Sequence, residues 1–222
     1  MPTSAATPLS KTALNRFLAE MPKAELHMHI EGSLEPEMIF KLAQRNGLTL
    51  AYRDVAALKK AYQFTDLQSF LDVFFAGNSV LLTADDFYDM AMAYFERAAA
   101  DNVVHAELFF DAQAHTARGV AFKTIMDGLI RAQVQAQATL QLSSGLILCF
   151  LRHLSEQEAF ECLAQALPWR EHLLGVGLDS SEIDHPPEKF ARVFDYASSL
   201  GLRRVAHAGE EGPPEYIRQA LS

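Results

Sequence analysis

The sequence predicts an α/β fold with a buried parallel sheet, because apolar segments of strand length alternate with helical segments along most of the chain. These strand segments are almost continuously apolar, as expected for strands that helices cover on both faces. Polar residues follow each of them, at the edge where α/β enzymes place their chemistry. The predicted strands, in chain order, are residues 25–29, 103–110, 146–151, 173–178 and 204–207.

The predicted helices are bounded by residues with favourable capping chemistry. Pro36 suits a first helical turn and Asn46-Gly47 a helix end, while Thr83 is a good N-cap. Four helices fall between the first two strands, which predicts a helical insertion over residues 34–100. Residues 1–10 are rich in Ser, Thr, Ala and Pro and are expected to be disordered. The predicted helices are 11–20, 36–45, 54–60, one from 66, 83–99, 122–140, 156–167, 187–200 and one from about 213.

Length and composition favour one domain over residues 1–222, since 222 residues that are 50% hydrophobic suit one sizeable core. The net charge of −9 argues against a nucleic-acid partner. No apolar run approaches the roughly 20 residues of a membrane helix, and the N-terminus does not resemble a secretory signal. Two cysteines are too few for a disulfide framework. We therefore expect a cytoplasmic protein, whose oligomeric state the sequence does not indicate.

A pair of histidines, His27 and His29, ends the first predicted strand. Side chains alternate along a strand, so both imidazoles lie on one face and supply half of a metal site. Chance alone gives about 0.3 His-x-His pairs in a chain of this composition. The pair therefore indicates a metal site only if the sequence offers further ligands.

The last predicted strand supplies such a group in His207-Ala208-Gly209-Glu210. His207 is a candidate third ligand, and Glu210 a carboxylate that moves protons beside the metal. The alternatives are a buried core histidine and a solvated loop charge.

The strand ends leave two architectures open, a βα barrel and a doubly wound sheet. A doubly wound sheet commonly has a glycine-rich phosphate turn after its first strand. The sequence Ile30-Glu31-Gly32-Ser33 is not such a turn.

Several motifs resemble those of the adenosine and adenine deaminase family, and they occur in the family's order. The resemblance extends from about residue 11 to the end of the chain. The motifs are PKAELHMHIEGS (22–33), FTDLQSFL (64–71), ELFFDAQAHT (107–116), GLDSSE (177–182) and HAGE (207–210).

The resemblance implies a (β/α)8 barrel of the metal-dependent hydrolases, of which this chain holds about the first five βα units. It implies one Zn²⁺ per chain, bound by His27, His29 and His207, which activates a water molecule. Glu210 is then implied as the acid that protonates the purine ring. The reaction is the hydrolysis of adenine to hypoxanthine and ammonia, a step of purine salvage.

Within this family the resemblance leaves more than one purine substrate open. Adenosine deaminases tend to have Asp where this chain has Glu31, and the longer carboxylate would occupy the space of the ribose. Adenine is therefore favoured over adenosine, with an N6-substituted purine as a further alternative. The residues that the resemblance implies in substrate binding are Glu31, Gly32, Asp179, Ser181 and Glu182. Alternatively, Glu31 and Glu182 are solvated loop charges.

Other polar residues at strand ends keep two interpretations. Asp111, Gln113 and His115 either touch the substrate or fix their loop. Arg152 and His153 either support the metal face or cap a helix.

Some of the family's functional residues have no counterpart in this sequence. They are an aspartate that is the fourth metal ligand, a second aspartate that binds substrate, and a histidine in an Asp-His-Gly motif. We therefore expect the chain to be truncated at its C-terminus, and the 222-residue polypeptide to be poorly active or inactive alone. A non-catalytic remnant is the alternative from a different functional class.

Overall fold

The computed structural model describes residues 10–222. The predicted disorder of residues 1–10 lies outside this part of the chain, apart from Ser10, whose side chain caps the first helix.

Five parallel strands form one sheet in which each strand pairs with its neighbour in sequence. This order is that of a βα barrel, whereas a doubly wound sheet reverses its strand order at a switch point. The sheet therefore favours the barrel of the two architectures that the sequence left open. The strands are β1 (Lys23–His29), β2 (Val103–Phe110), β3 (Ser143–Leu151), β4 (Leu173–Asp179) and β5 (Arg203–Arg204).

Helices connect the strands, and four of them lie between β1 and β2 as the predicted insertion. Their N-caps include Thr83, as predicted, and Asp66, each in a capping box with the residue three positions later. None of the helices between residues 10 and 222 is both long and apolar enough to span a bilayer. The helices are α1 (Lys11–Glu20), α2 (Pro36–Arg45), α3 (Val55–Ala61), α4 (Leu67–Asn78), α5 (Ala84–Ala100), α6 (Ala112–Thr116), α7 (Phe122–Leu140), α8 (Glu156–Ala166), α9 (Ala191–Ser199) and α10 (Pro214–Leu221).

The last predicted strand and the helix predicted over 187–200 differ most from the elements seen in the structure. The last strand was expected over residues 204–207, but regular pairing ends at Arg204. The backbone N–H groups of Val205 and His207 still donate to carbonyls of β4, at 3.1 and 3.0 Å, so the segment runs along the sheet up to His207. The helix predicted over 187–200 begins as a 3-10 turn, Pro187–Phe190, before α9.

The core lies between the sheet and its helices, and α5 and α7 cross closely within it. Gly128 makes this approach possible. A Cβ added there would lie 2.5 Å from the Ala84 carbonyl oxygen and 2.6 Å from Phe87 Cβ. Both contacts are far below van der Waals separation, so a larger residue has to push the two helices apart.

Replacing Gly128 with valine is therefore expected to destabilise the fold by about 3 kcal/mol, the upper range for overpacking a core. Urea denaturation measures the effect. Ala138→Val is the matched control, because Ala138 is exposed on the same helix and should cost only about 0.5 kcal/mol. Equal stability of the two variants would contradict the tight crossing.

Candidate metal and substrate site

Three imidazole rings meet at the carboxyl ends of β1 and β5. The Nε2 atoms lie 3.2 Å apart in His27 and His29, 2.9 Å apart in His27 and His207, and 3.0 Å apart in His29 and His207. The structure thus brings together residues that are up to 180 positions apart in sequence.

The strands explain this convergence. His27 and His29 are two residues apart on β1 and share its inner face, as the alternation predicts. Phe109 on neighbouring β2 stacks on the His27 ring, with the ring centroids 4.4 Å apart. His207 is carried to the same place by the segment that continues β5 along β4.

Metal ligands must be neutral imidazoles, and the surroundings of two of the three rings favour the neutral form. Burial, followed by the neighbouring His29 and His27, lowers the pKa of His207 to about 4. Burial and His29 also lower the pKa of His27. Burial of His29 works in the same direction, but the hydrogen bond and charge of Asp179 outweigh it and raise the pKa of His29.

The three Nε2 atoms fit a divalent ion such as zinc. Nitrogen ligands of a tetrahedral zinc ion lie about 2.0–2.1 Å from the metal and therefore about 3.3 Å from one another. The observed separations of 2.9–3.2 Å are close to this value. Within residues 10–222 no carboxylate joins the three nitrogens.

A second cluster lies beneath His29 and consists of Asp111, Cys149 and Asp179. Asp179 faces the other ring nitrogen, with its Oδ2 3.3 Å from His29 Nδ1. Burial raises the pKa of the Cys149 thiol well above its usual range, so the sulfur stays protonated and is a poor ligand. The cluster therefore supports His29, in the way that carboxylates commonly orient metal-binding histidines.

Glu210 lies beside the three rings without joining them. Its Oε2 is 3.4 Å from His207 Nδ1, and its side chain is 47% exposed. Partial burial and the nearby charges of Glu182 and Glu211 raise the pKa of Glu210. A carboxyl with a raised pKa holds its proton more readily at neutral pH, as a general acid requires.

A cavity of about 140 Å³ opens onto these groups. One wall is polar and the other is an apolar surface from α4. Gly32, one of the predicted substrate residues, and Ser180 also line it. The polar wall consists of His29, His207, Glu210, Asp111 and Asp179, and the apolar wall of Leu67, Phe70, Leu71, Phe74 and Phe75.

Glu31 is buried, so the alternative of a solvated charge is wrong for this residue. Its Oε1 accepts hydrogen bonds from Asp111 N and from His115 Nε2, at 3.0 and 3.1 Å. The guanidinium of Arg118 donates to His115 Nδ1, which leaves the ring proton on Nε2 for Glu31. His115 therefore holds its loop and Glu31 in place and does not line the cavity. Gln113 also holds this loop in place, because its side-chain oxygen accepts from Leu151 N.

Glu182 is also buried and is not a solvated charge. Its two oxygens accept from the backbone N–H groups of Gly209, Glu211 and Gly212. It does not line the cavity, and its contacts are to the loop that bears Glu210. Ser181 likewise does not line the cavity, and its hydroxyl donates to Gln68 Oε1 of α4 at 3.1 Å.

The sequence matches the family model described as adenosine deaminase over residues 22–222. The chain belongs to the adenosine deaminase family. A deaminase of Albidiferax ferrireducens named adenine deaminase is 64% identical over 96% of this chain, and one of Cupriavidus metallidurans with the same name is 63% identical over 94%. The alignments cover 62% and 59% of those proteins, so this family member spans about 60% of the length of these relatives.

Solved structures of the family share the fold. A crystal structure of adenine deaminase from Arthrobacter aurescens superposes with a TM-score of 0.88 at 52% identity and covers 90% of this chain and 62% of its own. An amidohydrolase from Burkholderia ambifaria, crystallised with bound Zn, gives a TM-score of 0.86 at 27% identity, over 99% of this chain and 60% of its own. The five strands are thus part of a barrel of the amidohydrolase type.

Sequence reasoning missed two supporting residues of this family member. Arg118 lies three residues after His115 on the turn that follows α6, a helical spacing that could have indicated the contact. Cys149 is fully buried next to His29, and strand pairing rather than a local sequence pattern sets this place. Arg152 supports the metal face, the first of its two interpretations, by donating to the His207 carbonyl oxygen.

Proposed function

We propose that this protein deaminates adenine to hypoxanthine and ammonia, using one zinc ion held by His27, His29 and His207. The observation that carries the proposal is the convergence of three Nε2 atoms beside Glu210. The names of relatives at 59–64% identity support the same substrate.

Each group of the site has a part in this hydrolysis. His27, His29 and His207 would hold the zinc ion, which would supply a water molecule of lowered pKa as the nucleophile at neutral pH. Glu210 holds a proton at its carboxyl and delivers it to the ring nitrogen next to the carbon that loses its amine. Asp179 keeps the His29 ring oriented through Nδ1. The apolar side chains of α4 pack on the face of the purine and exclude water from that side.

The cavity favours a free base over a nucleoside. Its volume of about 140 Å³ is well below the roughly 300–1,000 Å³ of pockets for drug-sized ligands. Glu31, Asp111 and His115 are bonded to each other next to it, so they do not yield readily to a ribose. A site discriminates strongly against a ligand whose binding would leave buried polar groups without hydrogen-bond partners. Such unpaired groups cost free energy.

Equilibrium binding to the zinc-loaded chain tests this preference. We expect adenine to bind at least about tenfold more tightly than adenosine, which is about 1.4 kcal/mol, in isothermal titration calorimetry. Product analysis by chromatography then follows hypoxanthine and inosine, with N6-methyladenine as a third substrate. Equal or tighter binding of adenosine would contradict adenine as the substrate. Absence of binding by all three would contradict the deaminase function of this chain and favour the non-catalytic alternative.

A further inference from the structure

A buried ion pair lies beneath the segment that carries His207 and Glu210. Arg152 follows β3 and Glu182 follows β4, and both side chains are at most 1% exposed. Arg152 Nη1 lies 3.7 Å from Glu182 Oε1. Neither residue lines the cavity, so neither is placed to touch a substrate there.

Glu182 holds the backbone on both sides of Glu210. Its Oε1 accepts from Gly209 N at 2.7 Å, and its Oε2 accepts from Glu211 N at 2.7 Å and Gly212 N at 2.8 Å. The residues on either side of Glu210 thus donate their backbone N–H groups to the same carboxylate. We call residues 207–212 the acid loop.

Arg152 holds the other end of the acid loop. Its Nη1 donates to the His207 carbonyl oxygen at 2.8 Å, and its Nε donates to the His185 carbonyl oxygen at 2.9 Å. His207 N donates to Leu178 O at 3.0 Å. Among the described residues, this β4 contact and the Arg152–Glu182 pair make all the hydrogen bonds of the acid-loop backbone.

The backbone of the acid loop is restricted in conformation next to Glu210. Gly209 has a φ of +79°, in the region that favours glycine. A Cβ at this position would lie 2.6 Å from Ile217 Cδ1, so α10 packs directly against the turn. At Gly212 an added Cβ would lie 3.0 Å from Glu182 Cδ, so the missing side chain lets the backbone approach the carboxylate closely.

We propose that Arg152 and Glu182 are positioning residues that fix the distance between His207 and Glu210. The inference rests on the proposed function, since it takes His207 as a metal ligand and Glu210 as the proton donor. A buried ion pair gives little net stability compared with apolar residues of similar size. Its contribution here is to hold the acid loop, because Arg152 bonds the backbone of His207 and Glu182 bonds the backbone on both sides of Glu210.

The test compares Glu182→Gln with Glu211→Gln in the 222-residue chain. Both variants lose one negative charge close to Glu210, but Glu211 is exposed. In Glu182→Gln the side-chain NH₂ faces backbone N–H donors, so at least one acid-loop bond is lost. We expect the amides of Gly209, Glu211 and Gly212 to exchange with deuterium at least about tenfold faster, while amides of β2 and β3 stay at the parent rate.

Cobalt(II) provides the second readout. Loss of supporting contacts around metal ligands commonly weakens metal affinity by about 10- to 100-fold, and we expect this range for Co²⁺ binding to Glu182→Gln. The visible absorption of bound Co²⁺ should also change, because it reports the ligand geometry. Glu211→Gln should match the parent chain in affinity, spectrum and exchange. Glu182→Asp keeps the charge opposite Arg152 but is one methylene shorter, so we expect an intermediate loss.

Several outcomes overturn the proposal. Parent-like exchange and Co²⁺ affinity in Glu182→Gln would show that the acid loop does not depend on this carboxylate. Faster exchange spread equally over β2 and β3 would show that Glu182 only stabilises the fold. If Glu182→Gln does not fold, Glu182→Asp decides between the same outcomes. If the parent chain binds no Co²⁺, the proposed function fails, while the exchange rates still decide how the acid loop is held.

Discussion

Replacing His207 with alanine is expected to lower the zinc affinity of this chain about a hundredfold. A structural zinc site gains about 10–16 kcal/mol from four ligands, so one ligand contributes about 3 kcal/mol, and 1.4 kcal/mol is a factor of ten in affinity. His207 supplies one of the three converging nitrogens and connects β5 to β1 through the site. Competition with a chelator of known affinity measures the change.

His172→Ala is the matched control for this substitution. His172 is exposed at the end of a 3-10 turn, and it belongs to none of the candidate metal clusters. Its loss should leave zinc affinity unchanged. Parent-like zinc affinity in His207→Ala, with correct folding, would mean that the ion binds elsewhere.

Replacing Glu210 with glutamine is expected to slow adenine deamination by about 10²- to 10⁴-fold, the usual contribution of a general acid. The amide keeps the shape of the side chain but has no proton to transfer. Zinc affinity should stay close to that of the parent chain, because Glu210 is not one of the three nitrogen ligands. The measurement is a single-turnover rate with enzyme in excess of adenine.

The rate is best followed in two proteins, since we expect the 222-residue polypeptide to turn over slowly. The matched substitution in the relative from Albidiferax ferrireducens provides the second protein. Glu211→Gln, one residue away and exposed, controls for the change in charge. In whichever of the two parent proteins turns adenine over, an unchanged rate in Glu210→Gln, or an equal loss in Glu211→Gln, would exclude Glu210 as the proton donor.

The elements of the fold were largely predictable because their signals are local. The apolar run Val103–Phe110 and the helical pattern of Phe122–Leu140 appear in the structure with the predicted bounds. Thr83 and Asp66 act as N-caps because their side chains bond amides three residues away. The order of the strands in the sheet was not predictable in this way, because the strand and helix segments alone do not distinguish a barrel from a doubly wound sheet. The assignment of residues 1–222 to one domain stays a prediction.

The roles of buried charges depend on contacts that are distant in sequence. Glu31 and Glu182 were predicted as substrate residues or solvated charges. Both are buried, which excludes the solvated charge, while a role in substrate binding stays a prediction. Glu31 accepts from residues 80 and 84 positions later, and Glu182 from amides 27 to 30 positions later. No local sequence pattern predicts hydrogen bonds between residues so far apart in the chain. The metal-site histidines were easier to predict, because the alternation of side chains along β1 places His27 and His29 on the same face.

X-ray absorption spectroscopy of the zinc-loaded chain tests the central claim most directly, because it reports the ligands of the ion without requiring turnover. The three-histidine site predicts zinc–nitrogen distances of about 2.0–2.1 Å and multiple scattering from three imidazole rings, which falls to that of two rings in His207→Ala. A sulfur ligand at about 2.3 Å, which Cys149 in the cluster beneath His29 would supply, or fewer than three imidazoles, would contradict it.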